Sequence, residues 1–270
     1  MNFLIEPLSY AFMQRGLLAG VMVGVLCAVM GTYVVLRGMA FLGDAMAHAI
    51  MPGVAVAYIL GGNLLVGALV AAAAVALGIG YFTRQGDIKE DTAIGILFAA
   101  ALSLGVALIS TIRSYAVDLS HILFGNVLGV SNADLWITFV LGILVLVVVA
   151  LLFRPFMVIS FDPVLAATLR MPAEILRMVM LLLLALTVVI SLQTVGVGLA
   201  AAMLVTPAAT AYLVTRRLAP MMGVSALIGA VSSLVGLYLS YYLNIVSGSA
   251  IVLTATVIFL VVFLMKRGKR

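Results

Sequence analysis

Apolar residues run through this chain in long unbroken stretches, and most polar positions fall between them. A bilayer crossing takes about 20 such residues. Nine stretches qualify: 16–36, 39–60, 62–82, 92–112, 135–153, 178–195, 198–214, 222–243 and 246–265. The second is atypical, because Asp44, His48 and Pro52 lie inside it. The sixth and seventh are joined only by "TVGVG". No soluble domain, low-complexity linker or convincing internal repeat interrupts the pattern. The expected architecture is an all-α polytopic membrane protein, one transmembrane domain over residues 1–270. It has nine spans, or eight if one stretch is re-entrant or interfacial. The lack of a repeat argues against an inverted-repeat secondary transporter.

Composition supports this picture. The 270 residues are 66% hydrophobic and only 9% charged, whereas about a quarter of residues are charged in soluble domains. The net charge of +5 changes the picture only through its placement. Basic residues are strung between apolar stretches instead of forming a patch, which excludes a nucleic-acid reading and leaves an orientation signal. With the C-terminal tail inside, the inner side holds Arg37, Arg84, Lys89, Arg154, Arg170, Arg177, Arg216, Arg217 and the four basic residues from Lys266 onward. Only Arg15 and Arg113 fall outside. Twelve against two puts the N-terminus outside for nine spans. That terminus, with Glu6 and Pro7 and no basic cluster, does not resemble a cleavable signal peptide.

Catalytic signatures are missing. There is no G-x-x-x-x-G-K-[ST] phosphate loop, and H-E-x-x-H and G-x-S-x-G are also absent. An enzyme is not expected. Cys27, the single cysteine, permits no intrachain disulfide and reads as a small buried hydrophobe. The 15 methionines show no repeated spacing and read as packing filler.

Asp44 and His48 are four residues apart and share one helical face. Ionisable groups within spans are costly and face a pathway or a partner. From Met39, His48 lies nine residues in, roughly 13 Å at 1.5 Å per residue, near the midplane. Pro52 cannot donate to the His48 carbonyl, which predicts a kink and a free oxygen beside the imidazole. Carboxylate, imidazole and carbonyl together suit manganese, iron(II) or zinc. Three readings follow: metal handling, a structural Asp–His hydrogen bond, or a proton relay. In the metal reading one chain supplies too few ligands. A second copy would bring its own pair, with Gly43 and Ala47 small enough to let the two helices approach. Asp118 and His121, in the external loop, form a second acid–imidazole pair that is either a receiving site at the pathway mouth or a solvated pair. Asp134 reads as the N-cap of a helix beginning at Leu135.

The longest inner loop, 154–177, contains "SFDPVLAATLRMP". Asp162 followed by Pro163 reads as an N-cap with proline at the first helical position. The short helix that follows is apolar at Val164, Leu165 and Leu169, reaches Arg170, and is stopped by Pro172. An apolar helix outside the membrane either docks in a partner's groove or lies on the lipid headgroups.

"VVLRGMAFLGDAMAHAIMPGVAVAYILG", "KEDTAIGILFA", "DLSHILFGN", "SFDPVLAATLRMP" and "TVGVGLAAAMLVTPAATAYL" together resemble the permease subunit of ABC-type manganese, zinc and iron(II) importers. The likeness spans nearly the whole chain in the same order. It implies a permease of the bacterial cytoplasmic (inner) membrane, paired with a second permease copy. Cytoplasmic ATP-binding subunits and an external metal-binding protein complete the implied assembly. Asp44 and His48 match the intramembrane metal motif, and the helix from Asp162 matches the ATPase-coupling loop. The opening "IEPLSYAFMQRGLLAG" is similar to the manganese/iron branch. Two alternatives remain at this stage: an ABC permease for a metal chelate, and a proton-coupled secondary metal transporter.

Overall fold

The computed structural model describes residues 6–84, 88–111 and 127–268. Among them the chain is helical and no strand occurs. The first half comprises α1 (Ala11–Leu36), α2 (Leu42–Ala49), α3 (Met51–Ile59), α4 (Leu64–Phe82), α5 (Glu90–Ser110) and α6 (Asn132–Leu151). The second half comprises α7 (Phe153–Phe161), α8 (Pro163–Thr168), α9 (Ala173–Val195), α10 (Val197–Val214), α11 (Leu218–Leu243) and α12 (Ser247–Arg267). With α2 and α3 taken as one stretch, Leu42–Ile59, eight helices are long and apolar enough to cross a membrane. The expected span 198–214 is shorter, an apolar run of Leu199–Val214 within α10.

Residue contacts fix the direction of that short helix. At one end of α12, Gly248 lies against Leu199. At the other, the Lys266 ammonium donates to the Leu213 carbonyl at 2.5 Å. α10 therefore runs parallel to α12. It follows α9 after a single break at Gly196, whose φ of 88° is a conformation open to glycine.

Small residues draw the centre together. Gly16, Gly20 and Gly24 fall one turn apart on α1 and meet Leu237, Ser233 and Gly229 of α11 in reverse order, so the two helices are antiparallel. A Cβ at Gly24 would lie 2.7 Å from the Ser233 hydroxyl and 2.8 Å from the Gly229 carbonyl. Ser233 and Ser225 donate across the seam to the carbonyls of Gly20 and Ala28, at 2.8 and 2.9 Å. Lipid gives apolar helices little reason to associate, so close backbone approach and interhelical hydrogen bonds hold this seam.

The remaining ends sort to one level. Arg37, just past α1, and Arg177, near the start of α9, both pair with Glu90 at the start of α5. Arg177 also donates to the carbonyls of Thr83 and Gly80, at 3.3 and 3.2 Å, at the end of α4. Phe156 of α7 packs edge-on against Tyr33 in the last turn of α1, with centroids 5.7 Å apart. This is the basic end of the bundle.

Three local expectations need correction. Asp134 is not the N-cap of α6. Ser131 is, and Asp134 sits at the third helical position, completing a capping box. The stretch after α6 holds a further helix, α7, whose Phe156 and Ile159 are buried. Pro52 does not kink a continuous helix. It stands in the first turn of α3, after a break at Ile50 that ends α2. The His48 carbonyl accepts from the Ile50 amide, so it is not left free.

Candidate metal site and coupling surface

Asp44 lies in the first turn of α2 and His48 in its last. The eight-residue helix is amphipathic by necessity: Leu42, Gly43, Ala45, Met46, Ala47 and Ala49 are buried, which turns the two polar residues the other way. The Nε2 of His48 lies 3.7 Å from Oδ1 of Asp44. That exceeds the 2.7–3.2 Å of a hydrogen bond, so the pair is not closed on itself. The Asp44 side chain is 47% exposed and that of His48 29%. Nδ1 of His48 is buried and has no hydrogen-bond partner among the described residues. The ring leans on Phe98 of α5, centroids 6.1 Å apart, and Phe41 meets the same phenyl edge-on at 5.4 Å.

The geometry is that of two donor groups a few ångströms apart on an open face, each with lone pairs to offer. No group of three or more His, Cys, Asp or Glu side chains gathers among the described residues. A metal held here takes one oxygen and one nitrogen from this chain and the rest from elsewhere. The sulfur of Cys27 is not a candidate, because it is buried against the Ser191 hydroxyl at 3.0 Å.

The small residues around the pair serve a different purpose from the one expected. Gly43 faces Ala201 and Leu204 of α10 within the same chain. Gly53 of α3 abuts the backbone of Gly67 of α4 so closely that a Cβ on either would collide. Ala47 is buried. They seat α2 and α3 in their own bundle and do not open a path for a second copy. Asp118 and His121 lie outside the described residues.

The segment from Asp162 has the expected start. Asp162 accepts from the Leu165 amide at 2.9 Å, Pro163 opens α8 and Val164 follows. Ala166 is buried, while Leu165 and Leu169 are 45% and 57% exposed. Among the described side chains of α8, Ala166 faces inward, while Leu165, and Leu169 just past the helix, face outward. It ends in a Schellman turn: Met171 donates to the Ala166 carbonyl at 3.0 Å, and Arg170 takes the left-handed position, φ 52°, where glycine is usual.

Sequence reasoning missed the basic-end cluster. Arg37 and Arg177 count in the sequence only as orientation charges, and Glu90 carries no role there. Yet the side chains of Arg37, Arg177 and Glu90 are 13%, 19% and 19% exposed, respectively. Burial lowers the Arg37 guanidinium's pKa, opposed by the Glu90 charge and aided by that of Arg177. An acidic residue opening a span inside a basic loop, as in "KEDTAIG", is the signal that pointed to it.

Known proteins carry the same frame. Residues 9–266 match the ABC 3 transport family. The manganese transport system membrane protein MntC of Listeria monocytogenes is 48% identical over 264 residues, 98% of this chain and 94% of that protein. MntC of Halalkalibacterium halodurans is 46% identical over 261 residues, 97% of this chain and 89% of the relative. Among solved structures, PsaBC from Streptococcus pneumoniae in complex with Fab superposes with a TM-score of 0.85 at 40% identity, covering 97% of this chain and 94% of that one. A likeness that runs from the start of α1 to the end of α12, at identities this high, leaves one assignment: the chain belongs to the ABC 3 transport family.

Proposed function

We propose that this chain is the membrane permease of an ATP-driven importer that carries manganese(II) into the cytoplasm, with zinc and iron(II) as competing cargoes. The observation that carries the reading is the open Asp44–His48 pair. The two groups sit in mid-bundle, do not hydrogen-bond each other, and present hard and borderline donors to an accessible face. Manganese favours oxygen and nitrogen ligands in a near-octahedral shell, and full-length relatives are named for manganese transport. The metal is substrate, so its site must release as well as bind. An incomplete ligand set serves that purpose.

A second permease copy placing its own Asp44 and His48 opposite would give two oxygens and two nitrogens, with waters completing the shell. That approach involves the open face of α2 and not Gly43, which is occupied by α10. The chain has no phosphate loop, so ATP is hydrolysed on separate cytoplasmic subunits. α8, with Leu165 and Leu169 outward, is the surface that engages them. The basic end then faces the cytoplasm of a bacterial inner membrane, and an external metal-binding protein delivers cargo at the other end, where Asp118 and His121 receive it.

The test is uptake by the permease and its ATPase in sealed vesicles, with manganese, zinc and iron(II) in competition. Saturable, ATP-dependent manganese uptake that Leu165→Asp or Leu169→Asp removes, along with ATPase co-purification, is the expected result. A charge in an apolar docking groove costs several kcal/mol, roughly, if it stays unpaired. Uptake that continues without ATP under a proton gradient would favour a proton-coupled carrier instead.

A further inference from the structure

At the basic end a cavity of about 390 Å³ opens between the ends of α1 and α4 and the starts of α5 and α9. Among the described residues, Arg37, Arg84, Lys89 and Arg177 line it against Glu90 and Glu174, four basic side chains against two acidic ones. The internal pairing does not exhaust the donors. Glu90 is shared between Arg37 and Arg177, and Glu174 is held at the rim by Arg84 at 2.7 Å. One terminal nitrogen of Arg37, Nη1, and the Nε of Arg177 are buried without a hydrogen-bond partner among the described residues. A buried donor on a charged group is costly when left unmade, so among the described residues these donors call for an acceptor.

A second cavity of about 240 Å³ shares Arg84, Glu174 and Arg177 with the first and continues between α4 and α9 past Gly80, Ile175 and Met178. Its apolar flank opens outward: Ile175 is 64% exposed. A cationic seat at the membrane surface thus runs into an apolar groove on the lipid-facing side. Free phosphate needs only the first. A phospholipid needs both, with its phosphate among the guanidinium groups and an acyl chain in the groove.

We propose that these joined cavities seat an anionic phospholipid. Basic pockets between transmembrane helices at the inner surface are suited to such headgroups, and Arg offers the fork that phosphate oxygens accept. The lipid bridges α1, α4, α5 and α9 at the level where the chain leaves the membrane.

The test uses the purified permease–ATPase complex in detergent, with lipid retention read by native mass spectrometry and melting followed as lipid is added. Phosphatidylglycerol should be retained and raise the melting temperature, while phosphatidylcholine and inorganic phosphate should not. The rim variant Arg84→Gln/Lys89→Gln, chosen because both side chains are surface groups the fold does not require, should weaken phosphatidylglycerol retention roughly thirtyfold, taking about 1 kcal/mol per basic residue. Arg216→Gln/Arg217→Gln removes the same charge elsewhere at that end and should leave retention unchanged. Equal losses in the two double variants would overturn the proposal in favour of nonspecific charge. Stabilisation by inorganic phosphate alone would overturn the lipid as occupant. Protection of a Lys89→Cys thiol by the ATPase, undiminished after delipidation, would assign the pocket to the partner protein and also overturn it.

Discussion

At the basic end, Glu90 sits between two guanidinium groups, and one of these in turn holds the carbonyls that end α4. Part-way along the second traverse, Asp44 stands 3.7 Å from His48 with no bond between them, and one imidazole nitrogen has no partner among the described residues. Both are groupings of opposite charge in a chain with few charges to spare. The first ties four chain segments together. The second ties nothing and stays open. In an apolar surrounding an ionisable side chain is retained either because it locks helices or because something else must pass it. Whether the charged groups bind one another across helices, more than the residue types, separates the two purposes.

The largest expected effect comes from removing the open pair. Asp44→Asn keeps the size but removes the charge that offsets a cation, and His48→Ala removes the nitrogen. Each should abolish manganese uptake in vesicles, by more than about a hundredfold on the scale of losing a ligand shell, while the protein inserts and binds its ATPase normally. Normal uptake per assembled complex in either variant would refute the metal site and make the pair an accident of packing.

The bridging cluster at the basic end should respond in the opposite sense. Glu90→Gln leaves Arg37 and Arg177 facing each other, both mostly buried. Breaking a buried pair by removing one partner costs about 3 kcal/mol or more. The melting temperature of purified protein should fall and assembled yield drop, with uptake per folded molecule reduced far less than by Asp44→Asn. A variant with unchanged melting and no uptake would collapse the distinction between the two groupings.

A smaller effect tests how the open pair is held. Phe98 is the ring against which His48 lies. Phe98→Leu retains an apolar side chain but removes that flat wall, freeing the imidazole to rotate. Positioning losses around metal ligands are typically about tenfold or more, so the manganese concentration for half-maximal uptake should rise about tenfold. The maximal rate should hold. A fall in maximal rate with unchanged half-saturation would instead place Phe98 in the transport motion.

The sequence was a good guide to elements and a poor one to their packing. Apolar run length located the eight helices long enough to cross because hydrocarbon thickness sets that length directly, and it overcounted at 198–214, where the helix is shorter. Asp162–Pro163 marked the start of α8 because capping chemistry is local. The spacing of Asp44 and His48 likewise put both on one face. Other features depend on contacts between residues far apart in the chain. Gly43 packs on Ala201, and Glu90 reaches Arg37 across 53 positions. Neither partner can be read from spacing. α7 was hidden for a different reason: "RPFMVISF" mixes basic and apolar residues, and its helix is fixed by the burial of Phe156 beneath Tyr33. The break at Ile50 shows the limit of local rules, since Pro52 predicts disruption but not whether the helix bends or stops.

The smallest expected effect lies at the rim of the basic end, where distance alone misleads. Arg84 and Glu174 approach to 2.7 Å, closer than Arg177 and Glu90 at 3.7 Å. By contact length the rim pair should matter more. Its side chains, however, are 61% and 53% exposed, so water already solvates both charges and the bond replaces hydration at little net gain. Exposed pairs of this kind contribute about 0–1 kcal/mol. Glu174→Gln, measured in delipidated detergent so that any bound lipid does not contribute, should therefore shift stability by less than about 0.5 kcal/mol, against the large loss expected for Glu90→Gln. Raising the salt should erase even that difference, because screening acts on exposed charges first. A loss comparable with that of Glu90→Gln would mean that burial does not decide which of these ion pairs holds the bundle.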